Sequence, residues 1–410
     1  MKKYIVIAGL AIAFVFSSLS MTWVFAEETT KETTEEINNE VEVDITNEEE
    51  EVLNLGLQEA IDFALENNKD IEIKRLELLK EEIVYRDEIR AVRDGEDNAE
   101  DIPLRNRNPF SPEYGQPIPN ATFQKAFIKN GGARRSVELG RDVATWNLEM
   151  KENEVKYNVE KAYFDLLQIE RELEIAVENL ELAQKQYDYG KLRLDVGMIS
   201  QQQLLGLEYS LSQAQSGYES AKMYYGLQRM SFRNTLGMDF TREFELTDEL
   251  EVKEYEEIVL EDSIEMALES NGSAKIAKEN AELLQLNLDA TSARYPENTY
   301  NYRELAAELA KAEQGYIQAK NGVEMQVRSA VVNLTTAEKQ IATFEKAVEQ
   351  ASEGVRISEL SFELGQNTAT EVAQANLNLM NAKKNLAQQI HAYNMALLDY
   401  KYSIGIGKGF

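Results

Sequence analysis

Apolar residues recur along this chain every seven positions, and the series runs twice in the same order. It reads Val159, Leu166, Leu173, Leu180, Tyr187 and Leu194, and then, 168 residues on, Val327, Leu334, Ile341, Val348, Val355 and Phe362. Three residues after these positions the side chains are mostly small: Ala162, Ala176, Ala183 and Gly190 in the first series, Ala330, Ala337, Ala351 and Ser358 in the second. Large residues at one heptad position and small ones at the other mark helices packed side by side along a seam. The pattern therefore expects Leu173 and Leu180 to be buried. Each series reaches a glycine, Gly197 or Gly365, and a second stripe follows: Leu204, Leu211, Tyr218, Tyr225 and Phe232, then Val372, Leu379, Leu386, Tyr393 and Tyr400. Two copies of a long helix, a turn and a returning helix are predicted, over residues 159–237 and 327–405.

The long helices extend further back, over about 135–194 and 303–363, with no internal proline. At about 1.5 Å per residue each is a rod on the order of 90 Å long. An entry helix precedes each copy. Leu57, Ile61, Ala64, Leu65 and Asn68 recur as Leu260, Ile264, Ala267, Leu268 and Asn271, at an offset of 203. The fall from 203 to 168 leaves 35 extra residues in the first copy. They fall in a stretch of about 94–135 that holds five of the six prolines, and it reads as an irregular loop with a short helix near 121–129. The second copy has only a short connection there, around Pro296.

Composition alters this picture at the amino terminus. Lys2 and Lys3 lead an uncharged run from Tyr4 to Ala26, which reads as a secretory signal over residues 1–26 or, since it is long enough to span a bilayer, as an uncleaved anchor. Either way the rest of the chain is exported. Residues 27–52 form an acidic linker with twelve acids between Glu27 and Glu51 against Lys31 alone. Two repeats follow, over 53–240 and 255–407. Cysteine is absent, so packing rather than disulfides must hold the fold. A net charge of −30 argues against nucleic acid or an anionic membrane surface as a partner, since both demand clustered Lys and Arg.

The doubled entry helix, the long helices ending at glycine turns and the internal twofold repeat resemble the TolC-like outer membrane efflux protein family. The order of elements and the duplication carry the likeness, which covers roughly residues 52–407. The resemblance implies an all-α body of elongated antiparallel hairpins, assembled as a trimer into a tube. That tube docks through its hairpin tips on a periplasmic adaptor-like protein and a membrane transporter, in the cell envelope. On this chain the tips correspond to Asp195, Val196, Gly197, Met198, Ile199 and Ser200, and to Leu364, Gly365, Gln366, Asn367 and Thr368. Gly197 and Gly365 suit the left-handed end of a helix, and Ser200 and Thr368 suit a following N-cap. Glu371 occupies the place of an acid at the family's inner aperture, while Gln203 and Gln374 stand where further acids could sit.

One family feature is not expected. A membrane-spanning strand needs about nine to eleven residues. The second connection is too short for a pair of them, and the first is interrupted by prolines, so little or no β-barrel is predicted. Two functions stay open: a duct in an efflux or export assembly, and a non-conducting coiled-coil spacer of the envelope. A tube needs apolar seams on two sides of its helices, and Tyr163, Leu167 and Val177 widen the first stripe in that direction. No enzyme, cofactor or metal site is expected. The one histidine, His391, has no second ligand in its pattern, and no phosphate loop or nucleophile motif is present.

Overall fold

Two 64-residue helices, α4 (Gly132–Asp195) and α8 (Tyr300–Glu363), run the length of the folded body and carry the other elements on their sides. The structure is a computed structural model that describes residues 52–255 and 258–405. The expected signal or anchor over 1–26 and the acidic linker up to residue 51 lie outside the described residues. Before α4 come β1 (Leu53–Leu55), α1 (Leu57–Asn67), α2 (Lys69–Asp97) and α3 (Ala121–Lys129); α5 (Gln201–Leu236) and β2 (Phe244–Leu246) follow it. The second repeat is α6 (Leu260–Ser270), α7 (Gly272–Ser292), α8 and α9 (Ala369–Ser403).

Each entry helix ends at the asparagine that the repeat shares. Asn68 and Asn271 break the helix in extended conformation and then cap the next one. The Asn68 side chain accepts from the backbone N–H groups of Asp70 and Ile71, and Asn271 accepts from Ala274. These caps satisfy donors that a helix start leaves unpaired. They launch α2 and α7, which pack on α4 and α8 respectively. Glycines in left-handed conformation close both return helices, Gly237 at φ +70° and Gly405 at φ +79°.

Packing fixes the order of the helices across the body. One side of α4 carries α2 and α5; α7 and α9 lie between α4 and α8. The heptad seams are dry near the middle of the long helices, where Val159, Leu166, Val327 and Leu334 are completely buried. They are dry again at the tip. Between these two zones the expected burial fails, since Leu173 and Leu180 are only half-buried. There the helices part to leave a groove, described below.

The described residues contain no barrel. Their strands are β1 and β2, paired in parallel over three residues, with one isolated bridge between Arg105 and Pro117. This small sheet closes the first core, against Tyr163, Phe232 and Leu236. The Tyr163 hydroxyl donates to Asp248 at 2.8 Å, and the same carboxylate accepts the first free N–H of α1, from Leu57, at 3.3 Å. Of the three residues that widen the first stripe, Tyr163 and Leu167 are buried and Val177 is exposed. Among the described residues no helix is long and apolar enough to cross a membrane.

Candidate docking site at the hairpin tips

Both turns are built by the same local chemistry. At the first, Gly197 takes φ +75°, its N–H donates to the Leu194 carbonyl at 2.9 Å, and Met198 N–H donates to Arg193 at 2.8 Å. At the second, Gly365 takes φ +74°, donating to Phe362 at 3.0 Å, and Gln366 N–H reaches Ser361 at 2.8 Å. A residue without Cβ enters this conformation without strain, and the two bonds satisfy carbonyls at the helix end. Each return helix then opens with a capping box, Ser200 with Gln203 and Thr368 with Glu371.

The box occupies the acid expected at an aperture. The Glu371 carboxylate accepts from the Thr368 backbone N–H at 2.6 Å and its hydroxyl at 2.9 Å. Those two bonds, the backbone one first, hold its carboxyl below the usual carboxylate range. Asp195, Val196, Gly197, Met198 and Ser200 are exposed, as are Leu364, Gly365, Gln366 and Thr368; Asn367 is half-buried and Ile199 is buried. Val196, Met198 and Leu364 are each about two-thirds exposed, so the tips offer apolar side chains to solvent.

The fold brings the two tips together. Ile199, Leu204 and Leu207 of the first hairpin cluster with Phe362, Ala369 and Val372 of the second. Within the first hairpin, Gly190 lets α4 and α5 approach closely: a Cβ there would meet Leu207 Cδ1 at 2.4 Å. The equivalent Ser358 instead uses its hydroxyl to accept from Asn367 Nδ2 at 3.2 Å. Arg193, which the heptad pattern does not single out, ties the hairpins. It donates to the Phe362 carbonyl at 3.0 Å and the Glu363 carbonyl at 3.2 Å, and its guanidinium lies 4.8 Å from the Phe362 ring centroid. A cation over the last carbonyls of α8 also meets the negative end of that helix. Its only sequence signal is a basic residue in the last turn of α4.

Behind the tips, α4, α5 and α9 part around a groove of about 770 Å3. Its walls include the small heptad residues Ala176, Ala183, Ala214 and Ala221, which here leave space rather than close a seam. The rim carries Tyr209, Tyr224 and Leu377, all exposed. The buried Asn376 lines it, and its side-chain oxygen has no hydrogen-bond partner. Beyond the groove, His391 Nε2 meets Asp165 at 2.7 Å across the contact between α4 and α9. Two acids of α4 also face α9. Burial pushes the Glu160 carboxyl up, against the Tyr402 hydroxyl that donates to it at 2.6 Å. Burial acts the same way on Glu172, but Gln388 and Lys384 outweigh it and hold that carboxyl below its ordinary value.

Large apolar side chains that face solvent are unevenly distributed. They include Ile73, Leu76, Leu79, Ile83 and Val84 on α2, Leu205, Met223, Leu227 and Met230 on α5, and Ile317, Met325, Val332, Ile357 and Leu360 on α8. By contrast α7 exposes none and α9 only Leu377. The apolar surplus is thus greatest on α2, α5 and α8, while α4 adds Val177, Tyr189 and Leu192 toward its tip end.

The fold of this chain recurs in solved structures. The CmeC outer membrane channel of Campylobacter jejuni aligns over 86% of this chain and 86% of its own, at 12% identity and a TM-score of 0.62. This chain has the fold of the outer membrane channels. The open-state MtrE channel of Neisseria gonorrhoeae aligns over 85% of this chain and 88% of its own, at 14% identity and a TM-score of 0.61. For the outer membrane protein VceC of Vibrio cholerae the shares are 85% and 96%, at 13% identity and 0.60. The TolC-like helical body read from the repeats is therefore the body of this chain. No family model matches the sequence, and no curated protein matches it.

Proposed function

We propose that this protein is the helical duct of an efflux or export assembly, formed when copies of the chain close side by side. The observation that carries the proposal is the apolar surplus on the α2/α5 flank and on the α8 flank, next to α7, which exposes no large apolar side chain, and α9, which exposes only Leu377. A rod complete in one chain would have no use for two such flanks, while a ring needs one to receive the other. By resemblance the ring is a trimer in the cell envelope. Its exposed tips, with Val196, Met198 and Leu364, dock on an adaptor-like protein and through it on a membrane transporter. The groove behind them has the small-residue floor and tyrosine rim that suit an entering helix. The chain supplies a walled path, and the transporter supplies the energy.

The lack of barrel strands among the described residues favours a second reading, a non-conducting spacer of the envelope. Light scattering on residues 27–410, without detergent and at several concentrations, separates the two. A discrete soluble oligomer is expected. A strict monomer at every concentration overturns the self-closing duct and leaves the spacer.

A further inference from the structure

At the end of the body away from the tips, residues 104–118 form a tight hairpin between α2 and α3. The backbone N–H of Ile118 donates to Leu104 at 3.0 Å, Asn106 N–H to Gln116 at 2.8 Å and Gly115 N–H to Asn106 at 2.8 Å. Inside this frame the Asn106 amide donates to Ser111 Oγ, and its oxygen accepts from Asn108 N–H. The Asn108 side chain accepts in turn from Phe110 N–H, and Ser111 Oγ from Glu113 N–H. At the apex Phe110 is 95% exposed and Tyr114 is 61% exposed.

The accounting of donors is what distinguishes this loop. From 108 to 119 every backbone N–H is donated within the loop or is absent because the residue is proline, at 109, 112, 117 and 119. A loop that lives in water has no need to satisfy all its donors, whereas one that enters a medium poor in hydrogen bonds must do so. Two cations flank the apex, Arg105 and Arg107, both exposed and in no ion pair among the described residues, so this hairpin departs locally from the chain's net charge of −30, which elsewhere disfavours an anionic surface. Arg105 is held in place by donating to the Gly115 carbonyl at 3.0 Å. The Arg107 head is directed by nothing in the loop.

We propose that this hairpin is a membrane-surface wedge, with Phe110 and Tyr114 entering the interfacial layer of a phospholipid bilayer and the arginines meeting lipid phosphates. An aromatic apex needs an apolar phase, which a lipid surface offers and a soluble polyanion does not. Aromatic rings and basic side chains are the pair that settles at headgroup level. The inference stands independently of ring closure, since a spacer would use the same contact.

Flotation of residues 27–410, which keep every element of the described fold, with phosphatidylcholine vesicles and with vesicles containing phosphatidylglycerol tests it. Binding to both is expected, tighter to the anionic ones. F110S should lower binding to both at least about tenfold. R107Q should remove about fivefold on anionic vesicles and nothing on neutral ones. F240S, at an exposed ring in the turn after α5, should change neither. Thermal melting checks that the fold is intact, and the exposure of Phe110 leaves little packing to lose. No binding by the parent protein, or equal binding by F110S, overturns the wedge. A loss confined to anionic vesicles in F110S also overturns it, because the ring would then act only beside the charge.

Discussion

The inner helices α7 and α9 and the flanking helices α2, α5 and α8 are made of similar residues, yet the flanks leave many large apolar side chains in water and the inner pair only Leu377. The inner pair has neighbours on two sides, α4 and α8, and its stripes are used up by them. The flanks carry stripes of the same kind with a neighbour on one side. What separates the two sets is thus the number of partners this chain provides, and in the proposed duct a second copy supplies the missing one. A sequence stripe reports that a helix face wants a neighbour; it does not report whose.

That comparison breaks most visibly at the flank. Replacing Met325 and Val332 by lysine puts two unpaired charges where the neighbouring copy would sit, at a cost of about 3 kcal/mol or more per contact, on the order of a hundredfold in association. The expected outcome is a monomer by light scattering with an unshifted melting temperature. If the variant assembles as the parent does, the α8 flank is not an interface. The inner seam should behave in the opposite way. Leu334 and its repeat counterpart Leu166 are fully buried, so alanine at either should cost about 2–5 kcal/mol in chemical denaturation. Leu173→Ala, at a half-buried position beside the groove, should cost clearly less. Equal losses at 166 and 173 would mean that the seam is uniform and the groove closed in solution.

The repeat made most of this fold legible. Helix boundaries, turns and caps rest on local chemistry, and Gly197, Gly365, Ser200 and Thr368 act where their residue types suggest. The α2 and α7 helices were harder to read, because their cue is an asparagine that ends one helix and starts the next. The pairing of β1 with β2 joins Leu53–Leu55 to Phe244–Leu246 across nearly 200 residues, and three-residue strands carry no periodicity to read. The heptads also could not locate the groove. An alanine permits close approach without enforcing it, so Ala176 and Ala214 suit a tight seam or an open wall equally well. Arg193 escaped for a related reason: its partners are backbone carbonyls of another helix, which no residue pattern encodes.

At the tips the two copies should respond alike to loss of a cap. Thr368→Ala removes the hydroxyl that accepts from Glu371 N–H at 3.3 Å and donates to the Glu371 carboxylate at 2.9 Å, leaving that carboxylate only its bond from the backbone N–H of residue 368. A loss of about 1 kcal/mol is expected, with Ser200→Ala close to it. A much larger loss at Thr368 alone would show that Glu371 does more than close the box. Hydrogen exchange at the first turn of α9 reads this locally.

The smallest effect tests how the two hairpins hold each other. Glu160 and Glu172 both reach from α4 toward α9, but their carboxyls are displaced in opposite directions. A carboxyl raised by burial favours the folded state while protonated, so the Glu160 contribution falls as pH rises from the ordinary carboxylate value through its raised one. Glu172, lowered by Gln388 and Lys384, contributes at neutral pH and loses that contribution as pH falls through its lowered value. Glu160→Gln should therefore raise the melting temperature relative to the parent at neutral pH, with the gain shrinking in acid. Glu172→Gln should lower it at neutral pH, with the deficit shrinking in acid. Melting curves from pH 3 to 8 decide the matter. Two shifts of the same sign would mean that the contact between α4 and α9 is governed by its overall charge rather than by the partners each acid meets.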